Sequence, residues 1–388
     1  MKKNIIILGS TGSIGKTTLD IIRKDKNNFN INLLATNKNI SVIINQAIEF
    51  KVKNVIISNY KSFVKAKIKY KKLKINFYNS FSIIDELFKK KSIFYTMISI
   101  SGIEGLKPTL QLIKFTKNIA IVNKEAIICG WNLIKKELIK FKTNFIPIDS
   151  EHFSIYSLLH NNKVNQIEKI YITASGGPFL KKSISQNKII SKKEALNHPN
   201  WKMGQKITID SSTMMNKVFE VIEAKKIFNL SYDKISILTH PKSYVHAILK
   251  FTNGQIKILA HEPDMKIPIF NSLYGDDKKT IQSKKINLDI LNNLELKFIK
   301  SKKFPLIKIL NKMKEKDSLY ESILVIINDH FVLNYLNNKI SYRDMIKKIY
   351  YFSNLKDFLK FRKISPKNIT DIDNLKNYVS LKLNALGV

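Results

Sequence analysis

The feature that most constrains the fold is a glycine-rich turn that follows a short apolar run near the start of the chain. The run Ile5–Leu8 leads into residues 9–15, GSTGSIG, in which every third residue is glycine. The following Lys-Thr imitates a P-loop, but that motif requires a glycine five residues before its last glycine, and Ser10 occupies this position. A buried strand, closely spaced glycines and a helix are typical of a dinucleotide-binding turn, and an ordinary strand-to-helix turn is the alternative.

The rest of the first 150 residues alternates between β-rich apolar runs and amphipathic stretches. The predicted strands are Ile31–Ala35, Val55–Ser58, Tyr95–Ile100, Ile119–Val122 and Phe145–Ile148. Between the first two of them, one helical face would carry Ile40, Ile43, Ile44, Ala47 and Ile48. This alternation predicts an α/β fold, with an N-terminal doubly wound, Rossmann-like parallel sheet over residues 1–148. Because the glycine turn opens that sheet, the alternation favours the dinucleotide interpretation.

The end of the second predicted strand indicates which dinucleotide such a sheet would bind. NAD sites usually place an Asp or Glu there, whereas NADP requires space and positive charge for its 2′-phosphate. This chain has Asn37, Lys38 and Asn39 at that point and no acidic residue. The sequence therefore favours NADPH as the cofactor.

Positive charge dominates the composition, with a formal net charge of +37 from 67 Lys and Arg against 30 Asp and Glu. A nucleic-acid partner would account for it, and that alternative predicts tight, strongly salt-dependent binding to DNA or RNA. Only Arg23, Arg343 and Arg362 are arginines, however, and arginine is the residue favoured for bidentate recognition of bases and phosphates. The lysines accompany many Ile, Asn, Phe and Tyr residues, which share AT-rich codons, so mutational bias explains the charge better. We expect only weak, nonspecific association with nucleic acid.

Cysteine content and hydropathy indicate the compartment. The single cysteine, Cys129, argues against a disulfide framework and a cysteine metal cluster, and favours the reducing cytoplasm. The apolar run after the first lysines is too short for a secretory signal. No stretch approaches the roughly 18 apolar residues of a membrane span, so we expect no membrane partner.

After residue 148 the pattern changes. Residues 149–275 contain two β-rich runs joined through Asn253-Gly254, which is a hairpin signal, and they are predicted to form a central α+β domain. Residues 276–303 are polar, lysine-rich and poorly periodic, and are interpreted as a linker.

The last part of the chain, residues 304–388, is predicted to be a C-terminal helical domain. Its two clearest helix starts have capping-box spacing. They pair Ser318 with Glu321 and Ser341 with Asp344.

Two carboxylates lie close together in the stretch FIPIDSEHFS. Asp149 and Glu151 are two residues apart at the end of a predicted strand, and in extended geometry both side chains point to one side. Oxygen ligands without a nearby cysteine suit Mg²⁺ or Mn²⁺. A surface acidic pair or a helix N-cap is the alternative, and the further carboxylate of Glu220 favours the metal site.

The stretch DSSTMMNKVFEVIEA would gather oxyanion donors around Glu220. A helix is predicted to begin after its serine-rich turn, with Asn216 four residues and Lys217 three residues before Glu220. Ser211, Asn216 and Lys217 would then donate hydrogen bonds to a phosphate or another oxyanion. The alternative is a capped amphipathic helix with an ordinary Lys–Glu pair.

Two loops suggest a cover over a site. Ser175 precedes two glycines, a hinge-like turn that could begin a mobile lid. Further along, His198, Trp201 and Met203 lie in an aperiodic segment, which suits an aromatic cover that excludes water. A packing role is the alternative for a lone His or Trp.

The stretch VNKEA follows a predicted strand of the parallel sheet. It places Asn123, Lys124 and Glu125 at the carboxyl end of that strand, where open α/β sheets bind their ligands. Lys124 would either form a salt bridge or, next to a nicotinamide, polarise an oxygen.

In this order the motifs resemble those of 1-deoxy-D-xylulose 5-phosphate reductoisomerases over essentially the whole chain. The matching segments are GSTGSIG, NKEA, PIDSEH, ASGGPF, HPNWKMGQKITIDSSTMMNK, FEVIEA, HPKSYVH and EPDMKIPI. The resemblance implies an enzyme that uses NADPH and Mg²⁺ or Mn²⁺. Its reaction would convert 1-deoxy-D-xylulose 5-phosphate into 2-C-methyl-D-erythritol 4-phosphate, an isoprenoid precursor. It also implies a homodimer, with catalysis, metal binding and dimerisation in the central domain.

The resemblance further implies a role for each residue of the site. The divalent metal would be held by Asp149, Glu151 and Glu220. The substrate phosphate would be bound by Ser175, Ser211, Asn216 and Lys217, with His198 close by. Lys124 and Ser150 would contact other substrate oxygens, and Trp201 and Met203 would lie on the lid. The NADPH site would be lined by Gly9, Ser10, Thr11, Gly12, Ser13, Ile14, Asn37, Lys38, Asn39, Asn123, Glu125, Gly204 and Met265. The expected catalytic residues are Lys124, Asp149, Glu151, His198 and Glu220.

The chain departs from the family pattern at positions outside the proposed ligand set. These are Ala126, where serine is usual, Asn328-Asp329, where Asn-Glu is usual, and Tyr274-Gly275, where Tyr/Trp-Pro is common. The rival interpretation is another NADPH-dependent oxidoreductase of a phosphorylated metabolite, which would not require a metal. Full activity of a Glu220→Gln variant would favour that rival.

Overall fold

The structure is a computed structural model that describes residues 2–89, 92–160, 162, 164–181, 190–275 and 277–387. Residue 276, where the predicted linker begins, and part of the segment after the predicted hinge at Ser175 lie outside the described residues. The chain forms two compact units. The first comprises Met1–Ala126, Leu133–Asp149 and Met265–Ile281, and the second comprises Ile127–Asn132, Ser150–Asp264 and Gln282–Val388. The predicted division into four functional segments remains a prediction.

The regular elements follow one another along the chain as strands and helices, besides short 3₁₀ turns. The strands are β1 (Lys3–Leu8), β2 (Phe29–Thr36), β3 (Asn54–Ile57), β4 (Asn76–Tyr78), β5 (Ile93–Ile98), β6 (Thr116–Ile121), β7 (Asn144–Pro147), β8 (Ile167–Ala174), β9 (Ile235–Thr239), β10 (Val245–Phe251), β11 (Ile256–Ala260) and β12 (Lys297–Phe298). The first helices are α1 (Ser13–Arg23), α2 (Ile40–Glu49), α3 (Tyr60–Lys69), α4 (Ile84–Phe88), α5 (Leu106–Ile113), α6 (Lys124–Phe141), α7 (Ser150–Leu158) and α8 (Lys192–Leu196). The remaining helices are α9 (Gln205–Thr213), α10 (Met215–Phe228), α11 (Lys266–Tyr274), α12 (Leu288–Asn292), α13 (Leu319–Leu336), α14 (Tyr342–Phe352), α15 (Lys356–Leu359) and α16 (Ile369–Ala385).

The first unit contains the parallel sheet that the alternation predicts. Its seven strands have the order β4-β3-β2-β1-β5-β6-β7, and all neighbouring pairs are parallel. The strand order reverses between β1 and β5, which is where open α/β sheets bind ligands. The glycine turn follows β1 directly, so it lies at this switch point. The predicted α/β, doubly wound fold is confirmed.

Two of the three glycines of the turn are sterically required. Gly9 has a φ of +82°, and a Cβ there would lie 2.4 Å from the Ser99 carbonyl oxygen. A Cβ on Gly15 would lie 2.4 Å from the Ser10 Cα, so the first turn of α1 packs tightly against the loop. Gly12 is different, because the nearest atom to its Cβ would be the Gly9 carbonyl oxygen at 3.4 Å.

The second unit is built on a mixed sheet with the order β11-β10-β8-β9-β12. Strands β8 and β9 are parallel, and the other pairs are antiparallel. The predicted hairpin is confirmed, since β10 and β11 pair on either side of Gly254, which has a φ of +84°. One face of the sheet forms a core with α10, in which Ile172 and Leu249 are buried with Val221. The segment 276–303 contributes α12 and the edge strand β12, although no periodic pattern predicts them.

Helices α13, α14 and α16 form most of the C-terminal part of the second unit. The predicted capping box is present at the start of α13, where the backbone N–H and the hydroxyl of Ser318 both donate to the Glu321 carboxylate. Ser341 likewise caps α14 by accepting a hydrogen bond from the Asp344 backbone N–H. In the part of the chain that the structure describes, no helix is long and apolar enough to cross a membrane.

Substitution of the two helix-start glycines tests the packing of the glycine turn. Gly15→Ala should lower the free energy of unfolding by about 1–3 kcal/mol, because the new methyl group meets backbone atoms. Helix propensity alone predicts the opposite sign, by about 1 kcal/mol, since alanine favours a helix over glycine. Gly12→Ala is the matched control, because Gly12 has an ordinary φ of −77° and space for a methyl group. Urea unfolding measures both, and a Gly15→Ala variant as stable as the wild type would contradict this packing.

Candidate active site

The two carboxylates near residue 150 belong to a strand end and a helix start. Strand β7 ends at Pro147, and α7 begins at Ser150, so Glu151 lies on the first turn of a helix. The predicted extended geometry for Asp149 and Glu151 is therefore wrong. The physical reason is that the chain turns directly from the sheet into a helix, whose first turn is compatible with an acidic residue.

The serine-rich stretch before Lys217 is also helical. Its serines lie in α9, and the break between α9 and α10 falls at Met214, which has a φ of +64°. The predicted serine-rich turn is thus wrong, whereas the predicted helix that follows it is confirmed as α10. Ser212 and Thr213 fit inside α9 because their hydroxyls bond to the Ile209 carbonyl oxygen at 2.7 and 3.3 Å.

A buried ammonium joins two of the predicted metal ligands. The Lys217 Nζ lies 2.9 Å from the Glu151 Oε1 and also forms an ion pair with Glu220. The amide of Asn216 donates to the Glu220 carboxylate as well. Lys217 is 4% exposed and Glu220 is 1% exposed, so these charges are largely removed from water. Burial alone would lower the pKa of Lys217, but the charges of Glu151 and Glu220 outweigh it and raise that pKa.

The arrangement of these groups suits an added cation. Glu151 and Glu220 present carboxylate oxygens within 4.8 Å of each other. With the Lys217 ammonium, the two carboxylates carry a net charge of −1, and all of their donor atoms are oxygens. Asp149 is separated from Glu151 by one residue. Hard oxygen donors with negative net charge are the ligands that Mg²⁺ and Mn²⁺ prefer.

A buried histidine supports the backbone of Glu220. The His152 Nε2 lies 2.8 Å from the Glu220 carbonyl oxygen, which accepts the hydrogen bond, and the Nδ1 lies 3.3 Å from a Glu223 carboxylate oxygen. His152 is not among the site residues predicted from the sequence. No local pattern indicates it, because 68 positions separate the bonded residues.

Three predicted substrate-binding residues meet around one ring nitrogen. The His198 Nε2 lies 3.1 Å from the Ser175 Oγ and 3.1 Å from the Ser211 Oγ. The other ring nitrogen, Nδ1, accepts hydrogen bonds from the backbone N–H groups of Asn200 and Trp201 at 3.2 and 3.0 Å. A nitrogen that accepts cannot carry a proton, so the neutral ring has its proton on Nε2. The Nε2–H therefore donates to the serine oxygens, and both hydroxyls lie 3.1 Å from this one ring nitrogen.

The charge state of His198 follows from its surroundings. Burial, and next the positive charge of Lys217, lower its pKa from 6.5 to about 4. At neutral pH the ring is therefore an uncharged donor. The effect of Lys217 also shows that the hydroxyl–imidazole group and the carboxylate–ammonium group share one electrostatic environment.

Lys124 and Asp149 form an ion pair within the first unit. The Lys124 Nζ lies 3.0 Å from the Asp149 Oδ2, and both side chains are largely buried. Asn123 fixes the start of α6, since its Oδ1 accepts from the Ala126 N–H at 2.8 Å while its Nδ2 donates to the carbonyls of Ile100 and Gly102. Glu125 is buried on the same helical turn. The salt bridge predicted as one possibility for Lys124 is present.

The predicted cofactor residues of the glycine turn offer mainly backbone groups. The Ser10 hydroxyl is buried and donates to the Gln46 side chain at 2.8 Å, and Thr11 pairs with the Thr36 hydroxyl at 2.7 Å. Gly12 is the N-cap of α1, and Ser13 and Ile14 form its first turn. The backbone N–H groups at a helix start lack partners within the helix and suit an anion.

The end of β2 carries the predicted selectivity residues. Asn37 donates to the Ser58 hydroxyl at 2.9 Å, and Asn39 caps α2 by accepting from the Val42 N–H at 3.4 Å. Lys38 is exposed between them. Hence the asparagines shape the turn, and the ammonium of Lys38 is the group available to a 2′-phosphate.

The other predicted residues lie on helix starts and loops. Gly204 is the N-cap of α9 in the second unit, whereas Met265 is the N-cap of α11 in the first. Trp201 and Met203 are half-buried in the loop before α9, as the aperiodic pattern predicts. The Trp201 ring lies edge-on to His246 with a centroid separation of 6.2 Å.

Comparison with known families and proteins agrees with this geometry. A family model described as 1-deoxy-D-xylulose 5-phosphate reductoisomerase matches residues 5–130. Two models of C-terminal domains of the same enzyme match residues 145–228 and 261–380. The fold and the site place the chain in the class of α/β oxidoreductases that have a Rossmann-like, dinucleotide-binding sheet. Within that class, the chain belongs to the 1-deoxy-D-xylulose 5-phosphate reductoisomerase family.

Individual relatives support the assignment over the whole length. The 1-deoxy-D-xylulose 5-phosphate reductoisomerase of Pelagibacter ubique is 55% identical over 387 residues, covering 100% of both chains. That of a Sulfurihydrogenibium species is 36% identical, covering 88% of each. The Zymomonas mobilis enzyme, solved in complex with NADPH, has a TM-score of 0.88 at 26% identity and covers 100% of this chain and 99% of that one. A reductoisomerase in complex with NADPH, fosmidomycin and magnesium has a TM-score of 0.85 at 28% identity and covers 99% of each.

Titration of His198 tests the electrostatics of the site. NMR of the ring should give a pKa of about 4, with the proton of the neutral form on Nε2. Since the unfolded chain takes up this proton at about 6.5, His198 should reduce stability as the pH falls from 6.5 towards 4. Lys217→Gln should raise the pKa, because it removes a positive charge and leaves the carboxylates of Glu151 and Glu220 nearby.

The control for that titration is Lys202→Gln, which removes the same charge from an exposed position of the adjacent loop. It should leave the His198 pKa unchanged. A wild-type pKa near 6.5, or equal shifts in both variants, would contradict the proposed coupling to Lys217.

Proposed function

We propose that the chain catalyses the NADPH-dependent and divalent-metal-dependent conversion of 1-deoxy-D-xylulose 5-phosphate into 2-C-methyl-D-erythritol 4-phosphate in isoprenoid precursor synthesis. The observation that carries the proposal is the grouping of the Ser175 and Ser211 hydroxyls around the His198 Nε2, close to the buried cluster of Glu151, Lys217 and Glu220. This combination offers a phosphate site and two of the three proposed metal ligands within the second unit. Family membership supplies the substrate.

Phosphate binding is the role of the hydroxyl–imidazole group. Ser175 and Ser211 donate through their hydroxyls, and His198 donates through Nε2, while Asn216 and Lys217 add an amide and a positive charge. An uncharged histidine donates to a phosphate dianion without requiring a proton from solution. Because the phosphate is remote from the reacting carbons, its binding orients the substrate and provides energy for lid closure.

The metal would be held by Asp149, Glu151 and Glu220, and the donor set fits it. All three offer oxygens, and Lys217 neutralises only part of their charge. A bound Mg²⁺ or Mn²⁺ would lower the pKa of a substrate hydroxyl and polarise the neighbouring carbonyl, which favours rearrangement of the carbon skeleton. His152 holds the backbone of Glu220 in place, so the carboxylate is oriented before any ligand arrives.

Lys124 and Ser150 would act on the remaining substrate oxygens. The Lys124 ammonium can exchange its contact with Asp149 for a substrate oxygen, and it stabilises negative charge that develops there. The Ser150 hydroxyl donates to Glu151 at 2.5 Å and so orients that carboxylate. Trp201 and Met203, on the loop before α9, would exclude water from the site.

The cofactor would be NADPH, bound by the first unit. The first turn of α1 offers backbone N–H groups to the pyrophosphate, and Lys38 offers a positive charge to the 2′-phosphate. The cofactor supplies the hydride that reduces the branched aldehyde after rearrangement. The relatives solved in complex with NADPH support this choice.

The proposal includes a homodimer in the cytoplasm. The face of the second sheet opposite α10 carries an apolar row of Tyr171, Ile248 and Ile258, and Phe298 continues this face on β12. Ile258 is 49% exposed and Phe298 is 68% exposed, so a second copy would bury substantial apolar area there. The lone buried cysteine supports the reducing compartment. Sedimentation equilibrium should give twice the chain mass of 44.9 kDa.

A variant that removes the negative charge of Glu220 tests the assignment of this residue as a metal ligand. NADPH oxidation with 1-deoxy-D-xylulose 5-phosphate should require Mg²⁺ or Mn²⁺ and stop with EDTA. Glu220→Gln should lower kcat/KM by about a hundredfold or more, because one carboxylate charge and its ligand oxygen are lost. Binding of Mn²⁺ alone, measured by electron paramagnetic resonance, should weaken in the same variant.

Glu86→Gln is the matched control, since Glu86 is an exposed residue of α4. It should retain wild-type activity and Mn²⁺ affinity. Full activity of Glu220→Gln would contradict the metal site, and oxidation that persists with EDTA would favour a metal-independent NADPH oxidoreductase.

A further inference from the structure

Helix α9 presents Ser211 to the anion site, and the residues on either side of Ser211 are bonded to helices more than a hundred positions away. The Asp210 Oδ1 accepts a hydrogen bond from the Asn328 Nδ2 on α13 at 2.8 Å. The Ser212 hydroxyl pairs with the Tyr342 hydroxyl on α14 at 3.0 Å. Asp210 and Ser212 are 3% and 1% exposed, so both bonds are shielded from water.

These two bonds fix the rotation of α9 about its own axis. Consecutive residues of an α-helix point about 100° apart, so Asp210 and Ser212 hold the helix from two directions and Ser211 points between them. A rotation of about 15° would move a hydroxyl about 4 Å from the helix axis by roughly 1 Å. Because the Ser211 Oγ lies only 3.1 Å from the His198 Nε2, such a movement would break that contact.

Further contacts reinforce this connection. The Lys206 Nζ lies 3.4 Å from Asp210 and 2.8 Å from Asp329, so an ion-pair chain also joins α9 to α13. The Tyr342 ring packs on Phe179 with a centroid separation of 5.3 Å. Phe179 ends the 3₁₀ turn Gly177–Phe179, which begins at the second of the two glycines after Ser175. Tyr342 therefore contacts both segments that carry the serines of the anion site.

We propose that Asn328 and Tyr342 are positioning residues of the phosphate site: they hold the Ser211 and Ser175 segments at the spacing that a phosphate monoester requires. They act through α9 and the turn after Ser175, without touching the ligand. The proposal rests on the proposed function for the identity of the substrate. It gives the C-terminal helices a role in substrate affinity beyond completing the fold.

Tyr342→Phe tests the proposal, because it removes only the hydroxyl and keeps the ring against Phe179. The KM for 1-deoxy-D-xylulose 5-phosphate should rise about fivefold, while kcat changes less than twofold, since the variant loosens binding and leaves the reacting groups in place. Tyr320→Phe is the matched control. The Tyr320 hydroxyl is also buried in the C-terminal helices and donates to the Ser353 carbonyl oxygen at 2.7 Å, away from α9.

Both tyrosine variants lose one buried hydrogen bond, so both should unfold at a lower temperature. Only Tyr342→Phe should change KM. A purely structural role for Tyr342 would give both variants the same kinetic constants, and that result would overturn the proposal. Equal losses of kcat in Tyr342→Phe and Tyr320→Phe would overturn it as well.

A second variant tests the other bond. Asn328→Asp keeps the shape of the side chain but places a carboxylate against Asp210, and it should raise KM more than Tyr342→Phe does. Asn354→Asp, which makes the same change next to the Tyr350 carbonyl oxygen and away from α9, should leave KM unaltered.

Binding of inorganic phosphate separates this inference from the proposed function, because it requires no turnover. Phosphate added to the wild type should shift the His198 ring signals, and Tyr342→Phe should need about five times more phosphate for the same shift. Equal phosphate affinity in the two proteins would overturn the positioning role, whatever reaction the enzyme catalyses. Weaker phosphate binding in Tyr342→Phe without turnover of 1-deoxy-D-xylulose 5-phosphate would support it and count against the proposed function alone.

Discussion

The buried ammonium of Lys217 is the interaction on which the rest of the second unit depends. Bringing Glu151 and Glu220 together without it would leave two carboxylate charges facing each other away from water, at a high cost in free energy. One ammonium stabilises both carboxylates, yet it leaves a net negative charge that a divalent cation can balance. Burial, and next the charge of the same ammonium, lower the pKa of His198, so its ring is uncharged at neutral pH. A single lysine thus contributes to the electrostatics of both the carboxylate group and the anion site.

The proposed anion site would allow a very basic protein to bind phosphate without relying on its surface charge. Most of the lysines that produce the net charge of +37 are exposed, where water and salt screen them. The site itself uses hydroxyls, an uncharged imidazole and one buried lysine. Such donors have fixed directions, whereas exposed ammonium groups are mobile. In the proposed site, selectivity for phosphate would come from geometry, which α9 and the helices bonded to it provide.

Local patterns predicted much of the fold, and long-range contacts explain what they missed. The apolar run before the glycines, the Asn253-Gly254 hairpin and the Ser318 capping box each encode their structure within a few residues. The helix start at Ser150 was missed, because the chain turns directly from β7 into a helix whose first turn accepts an acidic residue. The helical conformation around Ser212 was missed, because its hydroxyl bonds to the Ile209 carbonyl oxygen and so fits a helix. His152, Asn328 and Tyr342 bond to residues 68, 118 and 130 positions away, and one sequence contains no signal for such pairs.

Under the proposed function, one enzyme both rearranges and reduces its substrate. The most direct measurement is carbon-13 NMR of the product formed from labelled 1-deoxy-D-xylulose 5-phosphate with NADPH and Mg²⁺. We expect a branched product, 2-C-methyl-D-erythritol 4-phosphate, in which the labelled methyl group is attached to a carbon that bears no hydrogen. An unbranched reduced sugar phosphate, with the methyl group still at the end of the chain, would contradict it.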